Sequence, residues 1–323
     1  MSLRNSPCRV VLGLALVSVG QAAALAAGFL DDFEDNNVTD GNPVTWVEDL
    51  GGSGLFPGTY QASGGNYNFI DPSGGFNQMI SFVNAQVFSE VHIRTQGMVV
   101  PNPLDPGTLD EGNLSILARL DPTTLSGYAF YFDTDFNLGA IILQDGATAE
   151  DVSVDLGEFA GNFDGDDDAD GSDFLIWQQQ FGEPGSADAD GSGTVDAPDL
   201  AIWQADFGNV KLSPLTEVVF EASVVGEVLS ARVWPVGQSR PDVPQFTYTN
   251  DDPTLPKFPA GVIGLGYDDD GEDTTGIYRF FEAQDTPFVG GGVSAVPEPA
   301  GLSSMVAALT YAGALRKRSR VAR

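Results

Sequence analysis

The chain has 323 residues, of which 42% are hydrophobic and 10% aromatic, and this composition is typical of a globular protein with a sizeable core. It carries 46 acidic residues against 14 lysines and arginines, which gives a formal net charge of −32 at pH 7. Nucleic acids are polyanions, so we expect no nucleic-acid partner. The single cysteine, Cys8, precedes the first apolar run and lies in the segment that we predict below to be removed on export. The mature protein would then carry no cysteine, so disulfides and thiol chemistry are not expected.

The first 27 residues have the features of an export signal. Arg4 and Arg9 form a basic start, an apolar run covers residues 10–17, and small residues follow up to Ala27. This order is typical of a secretory signal peptide, and the apolar run is shorter than the ~20 residues that a membrane span needs. We therefore predict that residues 1–27 are removed and that the protein is exported.

Short β-rich runs separated by Gly, Asn, Asp and Pro occur on both sides of the middle of the chain. They show no long helical period, so they predict a mainly β antiparallel sandwich or jelly roll. The clearest runs are residues 115–120, 128–132, 139–143, 217–222, 229–234 and 277–281.

A repeat of 26 residues lies between residues 162 and 208. Asp170 recurs as Asp196, and Trp177 recurs as Trp203, in the same register. Each copy is an acidic loop followed by a predicted helix with apolar residues on one face, Phe174, Trp177 and Phe181 in the first copy and Leu200, Trp203 and Phe207 in the second. Gly182 and Gly208 should end the helices, and the two copies should pack together around the tryptophans.

Each loop places oxygen-bearing side chains at positions 1, 3, 5, 9 and 12, the spacing with which a twelve-residue EF-hand-like loop surrounds calcium. Position 7 should contribute only its main-chain carbonyl. Calcium takes several hard oxygen ligands at once, and Mg²⁺ fits such a loop less well. The sequence therefore predicts two Ca²⁺ sites. The first comprises Asn162, Asp164, Asp166, Asp168, Asp170 and Asp173, and the second Asp188, Asp190, Ser192, Thr194, Asp196 and Asp199.

The first loop has a second register to consider. Residues 166–171 also match the opening of an EF-hand loop, but that register would close on Trp177, and an indole cannot ligate calcium. We therefore favour the register that begins at Asn162. Asp167 occupies the turn position that glycine takes in the second loop as Gly193, so we expect the second loop to bind calcium first.

The two loop-helix units closely resemble a type I dockerin over residues 161–208. That resemblance implies calcium binding and a cohesin-like partner. The residues at loop positions 10 and 11, Gly171-Ser172 and Ala197-Pro198, differ from the Ser/Thr pairs of cellulosomal dockerins, so cohesin binding carries over less well than calcium binding.

The flanking segments resemble concanavalin A-like and laminin-G-like domains. The similarity lies in the segments DDFED at 31–35, LGAIIL at 138–143 and GVIGLGYDDD at 261–270. It implies one discontinuous jelly-roll sandwich, residues 28–160 and 209–292, with the dockerin-like module 161–208 inserted in a surface loop.

The C-terminal end reads Val296-Pro297-Glu298-Pro299, then an apolar stretch to Leu315, then a basic tail to Arg320. Residues 296–320 resemble the bacterial PEP-CTERM sorting signal. The resemblance implies transient anchoring in the inner membrane, cleavage by an exosortase and release to the cell surface or extracellular matrix. A permanent C-terminal anchor is the alternative.

We find no Glu-x-Asp-x-x-Glu motif of glycan-cleaving enzymes on this fold. Glu217 and Glu221 are expected to face solvent, and His92 to be an ordinary strand residue. The sequence therefore predicts a noncatalytic, calcium-binding surface protein whose sandwich binds a glycan or another extracellular polymer. The alternatives are a glycoside hydrolase or a component of a polysaccharide-degrading assembly recruited through the dockerin-like module, and a structural extracellular-matrix protein.

Overall fold

The computed structural model describes residues 28–288 except 53, 55, 57, 71–75, 85, 101–111, 158, 167, 209–210 and 271–273. The predicted signal peptide, residues 1–27, and the predicted sorting signal, residues 296–320, lie outside the described residues. Asp167, on which the ranking of the two loops depends, lies outside them as well.

Strands dominate the described part of the chain, and three helices interrupt them. The strands are β1 Phe29–Asp31, β2 Trp46–Glu48, β3 Thr59–Ala62, β4 Tyr67–Ile70, β5 Phe76–Val83, β6 Val91–Val100, β7 Gly112–Asp121, β8 Ser126–Asp133, β9 Asn137–Gln144, β10 Ala147–Asp155, β11 Val218–Val225, β12 Val228–Pro235, β13 Phe246–Thr249, β14 Val262–Asp270 and β15 Thr275–Gln284. The helices are α1 Asp49–Gly52, α2 Gly171–Gln180 and α3 Ala197–Asp206.

The strands form two antiparallel sheets. The eight-stranded sheet has the order β13-β12-β11-β6-β15-β4-β3, with β1 paired to β15, and the seven-stranded sheet has the order β10-β9-β8-β7-β14-β5-β2. Side chains alternate between the two faces of a strand. On β8, Tyr128, Phe130 and Phe132 therefore point into the core while Tyr131 points outward. The predicted mainly β sandwich is confirmed; five of the six predicted runs lie wholly in strands, and the run 217–222 lies in β11 except for Glu217.

Strands β2, β3, β4, β5, β10 and β13 were not among the predicted runs, and β10 is the one that changes the connection around the repeat. Strand β10 follows β9 through the tight turn Asp145-Gly146 and pairs with it antiparallel. Its outer positions are polar because it is an edge strand of the seven-stranded sheet. The sequence therefore lacks the run of apolar residues that predicts a strand. The helical repeat therefore follows β10, and not β9, before the chain enters the other sheet at β11.

The expected solvent exposure of Glu221 is wrong. Glu221 is only 3% exposed and lies on the outer face of β11, where Arg232 Nη1 and Arg240 Nε donate to its carboxylate at 2.9 and 2.8 Å. Glu217 is half-buried and pairs with Arg279. These carboxylates are therefore ion-paired, because the few basic residues of the chain interior converge on this face. His92 lies in β6, as predicted.

Helices α2 and α3 have a small apolar cluster of their own, separate from the sandwich core. Phe163, Ala187 and Val195 are its buried members. The helices end at Gln180 and Asp206, two residues before Gly182 and Gly208, which adopt φ of 86° and 87°.

Candidate metal centre

The two helices of the repeat are tied to each other through their N-termini. Trp177 Nε1 donates to the main-chain oxygen of Asp196 at 2.8 Å, and Trp203 Nε1 donates to that of Asp170 at 2.8 Å. Phe174 stacks on Trp203 with ring centroids 5.0 Å apart. The predicted packing around the tryptophans is thus confirmed, and it is reciprocal, as expected for two copies of one unit.

Two apolar residues predicted to lie on the buried face are exposed. Phe181 and Phe207 follow the last residues of their helices and are 55% and 57% exposed. Each contacts the tryptophan of its own helix edge-on, at 5.1 Å for Trp177 and 4.9 Å for Trp203. The helical spacing does not place these two side chains on the buried face because each helix ends one residue before the phenylalanine.

Asp173 closes the first loop from a fully buried position. Its Oδ1 accepts from the N–H of Phe163 and Asp164 at 2.6 and 3.1 Å, and its Oδ2 accepts from that of Asp170 at 2.7 Å. Asp170 in turn accepts from Ser172 N at 2.6 Å, so the two carboxylates cap α2 reciprocally. The carboxylates of Asp168, Asp170 and Asp173 come within 4.8 Å of one another.

Asp199 has the same position in the second loop and is also fully buried. Its carboxylate accepts from Asp190 N at 3.0 Å and from Asp196 N at 2.7 Å. Gly193, at the turn, adopts φ of 93°, where glycine is favoured as the sequence predicted. The carboxylates of Asp188, Asp190 and Asp199 form the second cluster, again within 4.8 Å of one another.

The remaining predicted ligands are held by local hydrogen bonds in the described residues. Asn162 Oδ1 accepts from Gly165 N at 2.8 Å, and its Nδ2 donates to the oxygen of Asp166 at 2.6 Å. Asp164 and Asp166 each accept from the N–H two residues later, at 3.2 and 3.0 Å. These three side chains line the first loop without joining its carboxylate cluster. The loop spacing predicted a main-chain role only for Asp168, whereas its carboxylate lies in the cluster.

In the second loop, Ser192 lies beside the cluster. Its Oγ is 3.5 Å from Asp188 Oδ1 and 3.2 Å from the main-chain oxygen of Thr194. Asp188 also accepts from Gly193 N at 2.7 Å. The predicted oxygen ligands at positions 1, 5 and 7 are therefore neighbours in this loop.

Each loop keeps one buried carboxylate oxygen without a hydrogen-bond partner, Asp168 Oδ1 in the first and Asp196 Oδ1 in the second. A buried oxygen without a donor is costly, and a hard cation compensates it. Loss of hydration, and then repulsion from Asp199 and Asp190, raises the pKa of Asp196. The donor set therefore fits a cation that prefers oxygen ligands, and calcium in particular.

The pKa of Asp199 moves the other way. Loss of hydration alone would raise it, but main-chain N–H groups, those of Asp196 and Asp190 among them, together outweigh that effect and hold the pKa of Asp199 below its usual value. Asp199 is therefore kept as an anion, which is the form that ligates a cation.

A shallow cavity of about 210 Å³ opens on the outer face of the seven-stranded sheet. Tyr131 lies across Gly139, where an added Cβ would sit 2.8 Å from the ring Cζ, and its hydroxyl donates to Asp151 Oδ1 at 2.9 Å. Loss of hydration is the main reason that the pKa of Asp133, beside it, is raised. The lining is Gly112, Asn113, Tyr131, Asp133, Thr134, Asp135, Ile141, Asp151 and Asp268. We call this cavity the Tyr131 face.

No known family model matches the sequence, and no curated protein does. Among solved structures, a xylan β-1,4-xylosidase from Bacillus halodurans C-125 aligns at 9% identity and a TM-score of 0.40 over 79% of this chain, which spans 38% of the xylosidase's length. Lectin II from Ulex europaeus aligns at 10% identity and 0.38, over 81% of this chain and 99% of the lectin. The Ca²⁺-bound exoplasmic/lumenal domain of VIP36 aligns at 8% identity and 0.43, over 81% and 91%. At these identities the likeness concerns the fold alone.

No helix within residues 28–288, as far as these are described, is long and apolar enough to cross a membrane.

Proposed function

We propose that this protein binds two calcium ions in the paired loops of residues 162–173 and 188–199 and works outside the cell as a noncatalytic glycan-binding protein. The observation that carries the calcium proposal is that each loop gathers carboxylates around a buried closing aspartate and keeps one buried oxygen without a partner. Equilibrium dialysis against Ca²⁺, with Mg²⁺ as competitor, tests it. We expect two ions per chain, retained when Mg²⁺ is in tenfold excess.

The Tyr131 face supports glycan binding by the sandwich. Proteins recognise sugars through carboxylates and amides that accept hydrogen bonds from sugar hydroxyls, through amide N–H groups that donate to sugar oxygens, and through contact with an aromatic ring. Asp151, Asn113 and Tyr131 supply these groups on the outer face of the sheet. A glycan array probed with the wild type and with Tyr131→Ala tests this proposal, and we expect Tyr131→Ala to lose the signal.

A glycoside hydrolase is the second candidate, and one observation favours it. Asp133 has a raised pKa and lies in the same cavity as Asp135 and Asp151, and a raised pKa is what a general acid needs. A hydrolysis assay on the polymers that score in the array separates the two candidates. Release of reducing ends that is lost in Asp133→Asn would establish the enzyme; binding without release would establish the lectin-like function.

Export, exosortase cleavage near Val296 and capture by a cohesin-like protein complete the proposal and rest on the sequence. Intact-mass measurement on protein released from the cell surface tests the first two. A chain cleaved at both ends lacks the signal peptide, residues 1–27, and the segment that follows the exosortase cleavage point and ends at Arg323. Binding to a cohesin in the presence and absence of Ca²⁺ tests the third.

A further inference from the structure

A larger cavity of about 690 Å³ lies at the opposite ends of β7 and β8 from the Tyr131 face. The Tyr131 face involves Asn113 and Asp133, near the start of β7 and the end of β8, whereas this cavity involves Arg119 and Tyr128, near the other ends. Its volume is in the range of small-molecule sites. The lining is Val87, Phe88, Ser89, Glu90, Arg119, Tyr128, Gly226, Glu227, Lys257, Phe258, Pro259 and Asp285. We call it the end cavity.

Arg119 reaches this cavity through a bulge in β7. The register of β7 shifts against β8 and against β14 at this point, and Arg119 adopts φ of 50°. Glycines flank it on both sides: an added Cβ at Gly261 would lie 2.2 Å from the carbonyl carbon of Arg119, and one at Gly127 would lie 2.9 Å from its oxygen. Bulges and left-handed non-glycine residues redirect side chains and occur preferentially at functional sites.

The buried guanidinium of Arg119 has no carboxylate partner among the described residues. The residue is 4% exposed, and its N–H groups go to main-chain oxygens: Nη1 to Gly226 and Phe258 at 2.7 and 3.0 Å, and Nη2 to Val224 at 3.3 Å. Nε has no acceptor. Three of the five N–H groups are thus used, and the negative charge that the lining brings to bear on the guanidinium comes from exposed Glu90, not from a hydrogen-bonded carboxylate.

The rim of the cavity is polar and its wall is aromatic. Lys257 pairs with Glu227 at 2.9 Å, and Glu90 and Asp285 are exposed carboxylates with no ion pair to another described residue. Phe258 is half-buried and packs edge-on against Tyr128 at 5.2 Å. Water and salt screen the exposed carboxylates, whereas the buried guanidinium is screened much less, so Arg119 dominates at the floor.

We propose that the end cavity binds a sugar unit that carries a carboxylate, a uronic acid, with the carboxylate toward Arg119, the ring against Phe258 and hydroxyls donating to Glu90 and Asp285. The inference rests on the proposed function only in taking a sugar as the ligand; it assigns a second site, remote from the Tyr131 face. Acidic polysaccharides are the polymers that contain such units.

Isothermal titration of the full chain with galacturonate and with galactose tests the inference at 0.15 M salt. Charge-assisted hydrogen bonds to arginine predict at least about tenfold tighter binding of galacturonate. Ser89→Trp, an exposed rim substitution that fills the mouth, should abolish this binding. Thr59→Trp, exposed on the edge strand β3, and Tyr131→Ala should leave it unchanged.

Lys257→Gln separates the two cations of the lining. Lys257 is exposed and already paired, so this variant should keep the preference for galacturonate. Equal binding of the two sugars, binding that survives Ser89→Trp, or a preference lost in Lys257→Gln would each overturn the assignment to Arg119. Loss of galacturonate binding in Tyr131→Ala alone would place the sugar at the proposed glycan face, so failure of this inference is distinguishable from failure of the proposed function.

Discussion

Trp177 donates its indole N–H to the main-chain oxygen of Asp196, 2.8 Å away, and Asp196 is the N-cap residue of α3. The same bond runs back from Trp203 to Asp170 at the start of α2. Each helix therefore holds the closing part of the other copy's acidic loop. A loop that is ordered by calcium consequently orders its partner, and the two candidate sites are coupled.

Trp177→Phe should weaken the second loop more than the first. The substitution keeps an aromatic ring against Phe174 but removes the hydrogen bond to Asp196, a loss of ~1 kcal/mol. Calorimetric calcium titration should show about fivefold weaker binding at the second loop. Trp203→Phe is the matched control and should affect the first loop instead. Equal losses at both loops in both variants would contradict the cross-loop assignment.

Glu221→Gln should destabilise the sandwich by ~3 kcal/mol, because it leaves the guanidinium groups of Arg232 and Arg240 without their buried partner charge. Glu227→Gln is the matched control: its ion pair with Lys257 is exposed, and its loss should cost less than ~1 kcal/mol. Urea unfolding in calcium-free buffer measures both. Similar effects of the two substitutions would show that the burial of Glu221 does not matter.

Asp31 should make the sandwich less stable as the pH rises from about 4 to about 6. Loss of hydration raises its pKa to about 6 despite hydrogen bonds from Trp46 Nε1 and Phe33 N. The folded protein therefore keeps a proton that the unfolded chain, with a pKa near 3.9, has already released. The stabilising contribution is complete below the unfolded pKa and is lost as the pH passes the folded pKa.

Asp31→Asn removes this titration. At pH 4, the free energy of unfolding of the Asp31→Asn variant should be ~1 kcal/mol below that of the wild type. The reason is that the amide oxygen can accept only one of the two hydrogen bonds, from Phe33 N and Trp46 Nε1, that Asp31 accepts. The wild type should then lose ~2 kcal/mol relative to the variant between pH 4 and pH 7. Parallel pH profiles of the two proteins would rule out Asp31 as the titrating group.

Replacing residues 162–208 with a short Gly/Ser linker should leave the sandwich folded. The ends of the repeat are adjacent: Gly161 N donates to Asp206 Oδ2 at 2.9 Å, and an added Cβ at Gly161 would lie 2.8 Å from Trp203 Cα. The repeat also has its own apolar cluster. Circular dichroism should retain the β signal and a cooperative melt; a lost β signal would mean that the repeat is part of the sandwich core.

The strands that the sequence predicted are those with alternating or continuous apolar residues, such as β8, because burial of one face leaves a period of two. Strand β10 was missed because its edge position permits polar residues. The acidic loops were predictable from their spacing, since a repeat conserves register. The buried state of Glu221 and the bulge at Arg119 were not, because both depend on partners more than ten residues away in the chain: Arg232, Arg240 and Gly261.

The measurement that tests the two-site account most directly is a calcium titration followed by tryptophan fluorescence on Asp173→Ala and Asp199→Ala. Both aspartates are fully buried and accept main-chain N–H groups, but the second loop turns through Gly193 at φ of 93°. We expect the second loop to fill first, so Asp199→Ala should abolish the calcium-induced change around Trp177 and Trp203, while Asp173→Ala should only shift it to higher calcium. A transition that survives in Asp199→Ala and vanishes in Asp173→Ala would reverse the order of the loops, and no calcium-dependent change in the wild type would contradict the account.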